Sequence, residues 1–318
     1  MEKARFKWVL RERNRKIAAK TEVFTEQQAR RVRSFHSSFK EYSPTPLIEL
    51  TSLAQHLGIK NLFVKDESYR FELNAFKVLG GSFAIGSYIA NELGEDIDDL
   101  PYMRLVSDEV RSLLGSKTFI TTTDGNHGRG VAWTANRLKQ QAIVYMPQGS
   151  AAERLANIRA EGAQAEITDM NYDDTVRYTS ELAQKNGWII VQDTAWDGYT
   201  RIPLWIMQGY MTMALEAYEQ LPVKPTHIFL QAGVGSLAGS VQGFFADIYG
   251  SSCPLTFIVE PKGADCFYQT AAANDGSLHS VTGRLETIMA GLACGEPNSI
   301  AWEILGNLSD GFISCPDY

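Results

Sequence analysis

The sequence predicts an α/β protein built on a mainly parallel sheet. Short apolar, β-branched runs alternate along the chain with longer amphipathic stretches, which is the pattern of βαβ units. Runs such as HIFL (227–230) are almost continuously apolar, as strands buried on both faces are. With 318 residues, 44% hydrophobic and 21% charged, the chain has the length of about two domains or one large α/β unit.

In chain order, strands are expected at NLFVKDE (61–67), KTFITTT (117–123), AIVYMP (142–147), AEITD (165–169), WIIVQDT (188–194), HIFLQAG (227–233), LTFIVEP (255–261) and GFISCP (311–316). Helices are expected over 77–93, 127–140, 151–161, 172–186, 203–220, 236–248 and 264–274. The acidic, turn-rich NELGEDIDDLPY (91–102) reads as a surface excursion. In open α/β sheets ligands bind at the carboxyl ends of strands. That directs attention to the loops KDESYRFELNAFK, TDGNHGRG, DTAWDGY and AGVGSLAGS.

Composition narrows the function. A net charge of −7 argues against a nucleic-acid partner and suits a protein that binds something small. The cysteines at 253, 266, 294 and 315 show no CxxC spacing, so a zinc site is not expected and reduced thiols are, with a Cys266–Cys294 bridge left open. The basic N-terminus lacks an apolar core and reads as a solvated face, not a secretory signal; Glu2 and Glu12 and the scarcity of serine argue against a transit peptide. No stretch approaches the ~18 apolar residues of a membrane span. A cytoplasmic location is expected.

Three segments carry chemistry. QAGVGSLAGS (231–240) follows a strand and opens a helix, which makes a phosphate cradle from glycine backbone and a helix N-terminus. Gly233, Gly235 and Ala238 also match G-x-G-x-x-A, and Glu260 ends the next strand, so a dinucleotide site is an alternative. A glycine turn needed only for packing is another. In TTTDGNHGRG, Asn126 can hold a polar ring substituent. Asp124 can accept a proton or pair with an ammonium, or simply cap the helix; His127 could act as a base but reads as a residue that caps or packs at the helix start. Lys77 sits between Ala75–Phe76 and Val78–Leu79. Apolar surroundings favour a neutral, nucleophilic amine, whose natural carbonyl partner is pyridoxal phosphate. The plain alternative is a lysine whose stem packs on the core.

Taken in that order, the lysine, GNHG and the late glycine loop resemble the fold-type II pyridoxal-phosphate enzymes, which include serine and threonine dehydratases, threonine synthase and cysteine synthase. NAFKVLGGSFAI, TTTDGNHGRGVAW, VQDTAWDGY, QAGVGSLAGS and TIMAGLACGEPN are most similar to the diaminopropionate ammonia-lyases. The resemblance covers nearly the whole chain. It implies a tryptophan synthase β-like fold of two three-layer α/β/α lobes. One lobe is expected from 1–88 with 193–318 and the other from 89–192.

The resemblance further implies pyridoxal 5'-phosphate linked to Lys77, with Asn126 on its phenolic oxygen. Gly233, Val234, Gly235, Ser236 and Leu237 would hold its phosphate. Asp124 stands where dehydratases carry a serine-type residue, and Asp193 is a second acidic candidate. The implied reaction eliminates ammonia from 2,3-diaminopropionate by way of aminoacrylate, giving pyruvate and a second ammonia, in a homodimer. No metal is expected. The family continues past GFISCPDY, so the resemblance implies a further C-terminal portion, absent from this sequence, with a serine or threonine facing the pyridine nitrogen. A serine/threonine dehydratase is the enzymatic rival, an NAD-dependent dehydrogenase a more distant one, and a non-catalytic remnant of the same fold the rival from another class.

Overall fold

The computed structural model describes residues 6–12, 21–123 and 125–318. Ten strands among them are β1 (Lys7–Leu10), β2 (Leu47–Glu49), β3 (Phe63–Lys65), β4 (Thr118–Thr122), β5 (Gln141–Met146), β6 (Gln164–Ile167), β7 (Ile189–Ile190), β8 (His227–Gln231), β9 (Leu255–Pro261) and β10 (Gly311–Cys315). They form a sheet in the order β1-β10-β9-β8, a second in the order β6-β5-β4-β7, and the separate pair β2-β3. The second sheet is wholly parallel, and in the first only β1 runs antiparallel to its neighbour.

Three sequence expectations need correction. The run NLFVKDE enters neither large sheet, because β3 pairs antiparallel with β2. The HIFL run is not buried on both faces. As β8 it is an edge strand, with Phe229 61% exposed; its apolar side chains stack on a neighbour, Phe229 lying 5.4 Å from Phe257. The NELGEDIDDLPY stretch is acidic outside but pins Ile97 and Leu100 into the core. The N-terminus, expected as a solvated face, is largely exposed over Lys7–Leu10, which at the same time adds the edge strand to the first sheet. Residues 1–5 and 13–20 lie outside the described residues.

The helix Lys77–Leu93 carries the candidate lysine at its first position. It is apolar almost all round, as a helix enclosed by others is. It packs against helices Arg201–Gln220 and Asn126–Arg137. Gly209 permits the first crossing: a Cβ there would come within 2.3 Å of the Leu79 carbonyl oxygen. The helix ends at Gly94, whose φ of 68° gives the left-handed cap a glycine adopts without penalty. Helix Tyr172–Asn186 is bounded by similar local chemistry, with Asn171 accepting from Asp174 N and Gly187 closing it in the left-handed conformation. No helix among the described residues is long and apolar enough to cross a membrane.

The segment before Lys77 is held from below by a buried ion network. Arg70 is fully buried and donates to Glu67 and Glu216, with Nη2–Oε2 of Glu216 at 2.7 Å. Lys65 Nζ lies 2.8 Å from the same Glu216 carboxylate. Burial would raise Glu216, but the Arg70 and Lys65 cations outweigh it and hold the carboxyl below its ordinary value. Immediately after Arg70 the backbone makes left-handed steps at Phe71, Glu72 and Asn74. Such steps are costly for side-chain-bearing residues and persist where the surroundings over-determine them.

Candidate active site

A cavity of about 190 Å³ opens between the carboxyl ends of the two large sheets, lined by Lys77, Asn126, Asp193 and the whole turn Gly233–Leu237. The structure thus brings together every cofactor-binding residue expected from sequence. Asp124 lies outside the described residues. Side chains not expected at the site from sequence also line it: Phe76, Arg154, Tyr210 and Cys294.

Lys77 Nζ donates to Asp193 Oδ2 at 2.7 Å. Asp193 follows β7 and is 4% exposed. Burial alone would raise its carboxyl; the Lys77 ammonium and the nearby His127 reverse that and hold it at about 2. His127 lies with Nε2 2.7 Å from the Val191 carbonyl oxygen and Nδ1 4.0 Å from Asp193 Oδ2. Its expected packing role therefore comes with an electrostatic one: it orients the strand end that carries Asp193.

The turn Gly233–Leu237 joins β8 to helix Ser236–Tyr249. Gly235 has φ of 91°, and a Cβ there would sit 2.3 Å from Phe267 Cζ. Only glycine fits, and the result is a backbone turn whose helix-start N–H groups suit an anion. Exchange of Gly235 for alanine is expected to weaken inorganic phosphate binding at least about tenfold, since it adds strain and collision at the turn; equilibrium dialysis of both proteins measures this. The Ser236 hydroxyl donates to the Asp193 carbonyl at 2.6 Å, so in this arrangement the turn faces the cavity chiefly with backbone.

Sequence reasoning missed the residue that ties these parts together. Asn298, wholly buried, donates from Nδ2 to Ser236 Oγ at 2.8 Å and to the Asp193 carbonyl at 3.3 Å. Its own N–H donates to Val234 O at 2.9 Å, and its Oδ1 caps helix Ser299–Leu308 through Ile300 N at 2.9 Å. The available signal was an asparagine directly before an apolar helix, the pattern of an N-cap. Glu260, the candidate ribose ligand, is turned away from any such role: it is buried and accepts from Phe267 N at 2.9 Å and Tyr268 N at 2.7 Å. Burial pushes it up to about 8 despite those donors. This removes the acidic partner on which the dinucleotide alternative depended. The four cysteines are free thiols.

Comparison with known proteins agrees with this geometry. The family model for pyridoxal-phosphate dependent enzymes matches residues 39–318. The diaminopropionate ammonia-lyase of Salmonella typhimurium is 52% identical over 290 residues, which is 90% of this chain and 72% of that protein. The crystal structure of the Escherichia coli diaminopropionate ammonia lyase in complex with D-serine superimposes with a TM-score of 0.89 at 49% identity, covering 98% of this chain and 77% of that one. The same E. coli protein in complex with an aminoacrylate-PLP azomethine reaction intermediate gives a TM-score of 0.87 at 48% identity, again over 98% and 77%.

Proposed function

The chain belongs to the pyridoxal-phosphate dependent enzymes, and from that membership we propose that it eliminates ammonia from 2,3-diaminopropionate, giving pyruvate and a second ammonia. The observation that carries the reading is the lysine–carboxylate pair, Lys77 to Asp193 at 2.7 Å, facing a glycine turn across one cavity. The cavity fits pyridoxal 5'-phosphate: an amine at one end, and at the other an anion-accepting turn at which a Cβ has no room.

When bound, the cofactor supplies an electron sink for the charge left by removal of the substrate's Cα proton. This chain's residues do the rest. Gly233 to Leu237 would hold the phosphate, and Asn126 the phenolic oxygen. Lys77 would hold the cofactor, and as a free amine it would take or return a proton at the substrate's Cα. Asp193 fixes the Lys77 nitrogen and balances its charge. We assign Lys77 to one face of the substrate carbon and Asp124 to the other, so that both enantiomers are handled. Asp124→Asn is then expected to lose turnover of one enantiomer by about 10²-fold or more while sparing the other; full activity on both would contradict the assignment. A homodimer, a cytoplasmic location and the division into 1–88 with 193–318 and 89–192 belong to the same proposal.

The test is reduction of the cofactor-loaded chain with borohydride followed by peptide mapping. Label on Lys77 is the expected result. Stable cofactor binding with label on another lysine would overturn the reading.

A further inference from the structure

The proposed roles leave a buried phenol of the cavity idle. Tyr210, on helix Arg201–Gln220, is 1% exposed, and its hydroxyl has no hydrogen-bond partner among the described residues. A buried phenol ordinarily has one. Its ring is fixed in place. It meets Phe76 edge-on at 5.1 Å, and it lies so close to Gly80 that a Cβ there would come within 2.6 Å of its Cε1. Phe76 and Gly80 flank Lys77 on the same segment, and Tyr210, Lys77 and Asp193 line the same cavity. Burial, reinforced by the Asp193 carboxylate and opposed by Lys77, raises the phenol above its ordinary value. It therefore keeps its proton at neutral pH and is available as a donor.

We propose that Tyr210 is a positioning residue for Lys77: its O–H donates to the Lys77 nitrogen whenever that nitrogen is uncharged. As an ammonium, Lys77 donates to Asp193 and has no lone pair to accept the phenol's proton, and the phenol oxygen accepts no bond from it either. Once the proton is gone, the nitrogen becomes an acceptor, its attraction to Asp193 falls, and the phenol gains a partner. The inference rests on the reading of Lys77 as the cofactor-bearing amine. It explains how a lysine paired with a carboxylate can still be presented as a neutral nucleophile. Among the described residues, the other titratable or charged groups lining this cavity are Asp193, Arg154 and Cys294, with His127 behind Asp193.

The test compares the wild type with Tyr210→Phe, which removes one oxygen and keeps the ring packing. Before cofactor is added, the rate at which acetic anhydride labels Lys77 is followed against pH by peptide mapping. The midpoint of the Lys77 profile is expected to rise by about half to one pH unit, the worth of one hydrogen bond to the neutral form. The profile of Lys65, held by Glu216, is expected to stay where it is and reports that the fold is intact. A Lys77 midpoint that is unchanged or lowered would overturn the inference. Borohydride mapping of both proteins after cofactor loading keeps the two claims apart. Label on Lys77 with an unmoved midpoint refutes the role of Tyr210 alone. A loaded chain labelled elsewhere refutes the underlying reading, and the inference with it.

Discussion

Lys77→Arg is expected to lose turnover of 2,3-diaminopropionate by about 10²–10⁴-fold, the range associated with a positioned acid–base group, and to lose all borohydride label. Arginine keeps a cation for Asp193, yet its guanidinium does not deprotonate and cannot serve as the nucleophile. The exchange thus separates the amine's chemistry from its charge. That matters because Asp193 is nearly enclosed and owes its low value, about 2, largely to the Lys77 ammonium. A neutral replacement would leave a buried carboxylate without its principal counter-charge and confuse inactivity with instability. The expected pattern is an inactive protein that unfolds at a denaturant concentration close to the wild type's, read by pyruvate formation and by a denaturant titration. Substantial residual activity in Lys77→Arg would contradict the assigned role.

Arg70→Met is expected to destabilise the chain by about 3–5 kcal/mol, the cost of removing one partner from a buried ion pair. Arg70 is fully buried, and Glu216, 2% exposed, would keep among the described residues only Lys65 at 2.8 Å as an ionic partner. The same loss should loosen the left-handed steps at Phe71, Glu72 and Asn74 that lead to Lys77. Urea titration gives the stability change from the shift in midpoint. Replacing Arg70 and Glu216 together with apolar residues should cost less than Arg70→Met, because the fully buried Glu216 carboxylate is removed with its cation and Glu67, which also loses Arg70, is only partly buried. A single exchange costing under about 1 kcal/mol would show that the network is not what braces this segment.

Much of this was legible in the sequence because local chemistry and global fold agree. Helices Lys77–Leu93 and Tyr172–Asn186 and strand Leu255–Pro261 fall where the periodicity places them. Two of the three end in a glycine stop, and the third is a largely apolar run closed by proline. Errors arise where composition says apolar but not which neighbour is present. The run HIFL has the residues of a central strand and lies at an edge. NLFVKDE has the residues of a sheet strand and pairs only with Leu47–Glu49. The helices Glu26–Ser37 and Ser299–Leu308 were not read at all, though Thr25 and Asn298 cap them.

The site divides along similar lines. Lys77, Asn126, Asp193 and Gly233–Leu237 lie directly after strand ends or at helix starts, where sequence pattern marks a loop as functional. Asn298 and Tyr210 contribute through long-range contacts: Asn298 meets Ser236 across 62 positions, and Tyr210 reaches the cavity from the middle of a helix. Neither stands in a pattern that single-sequence reasoning reads as a site. The Asn298 bridge also gives the glycine turn and the Asp193 loop a common brace, so the anion end and the amine end of the cavity are positioned by one buried side chain.

The most direct test of the proposed activity is to supply the purified, cofactor-loaded chain with 2,3-diaminopropionate, and separately with serine, and to quantify pyruvate and ammonia. The account predicts pyruvate from 2,3-diaminopropionate accompanied by two equivalents of ammonia, at a rate well above that from serine. Preference for serine, or consumption of diaminopropionate without pyruvate, would contradict it.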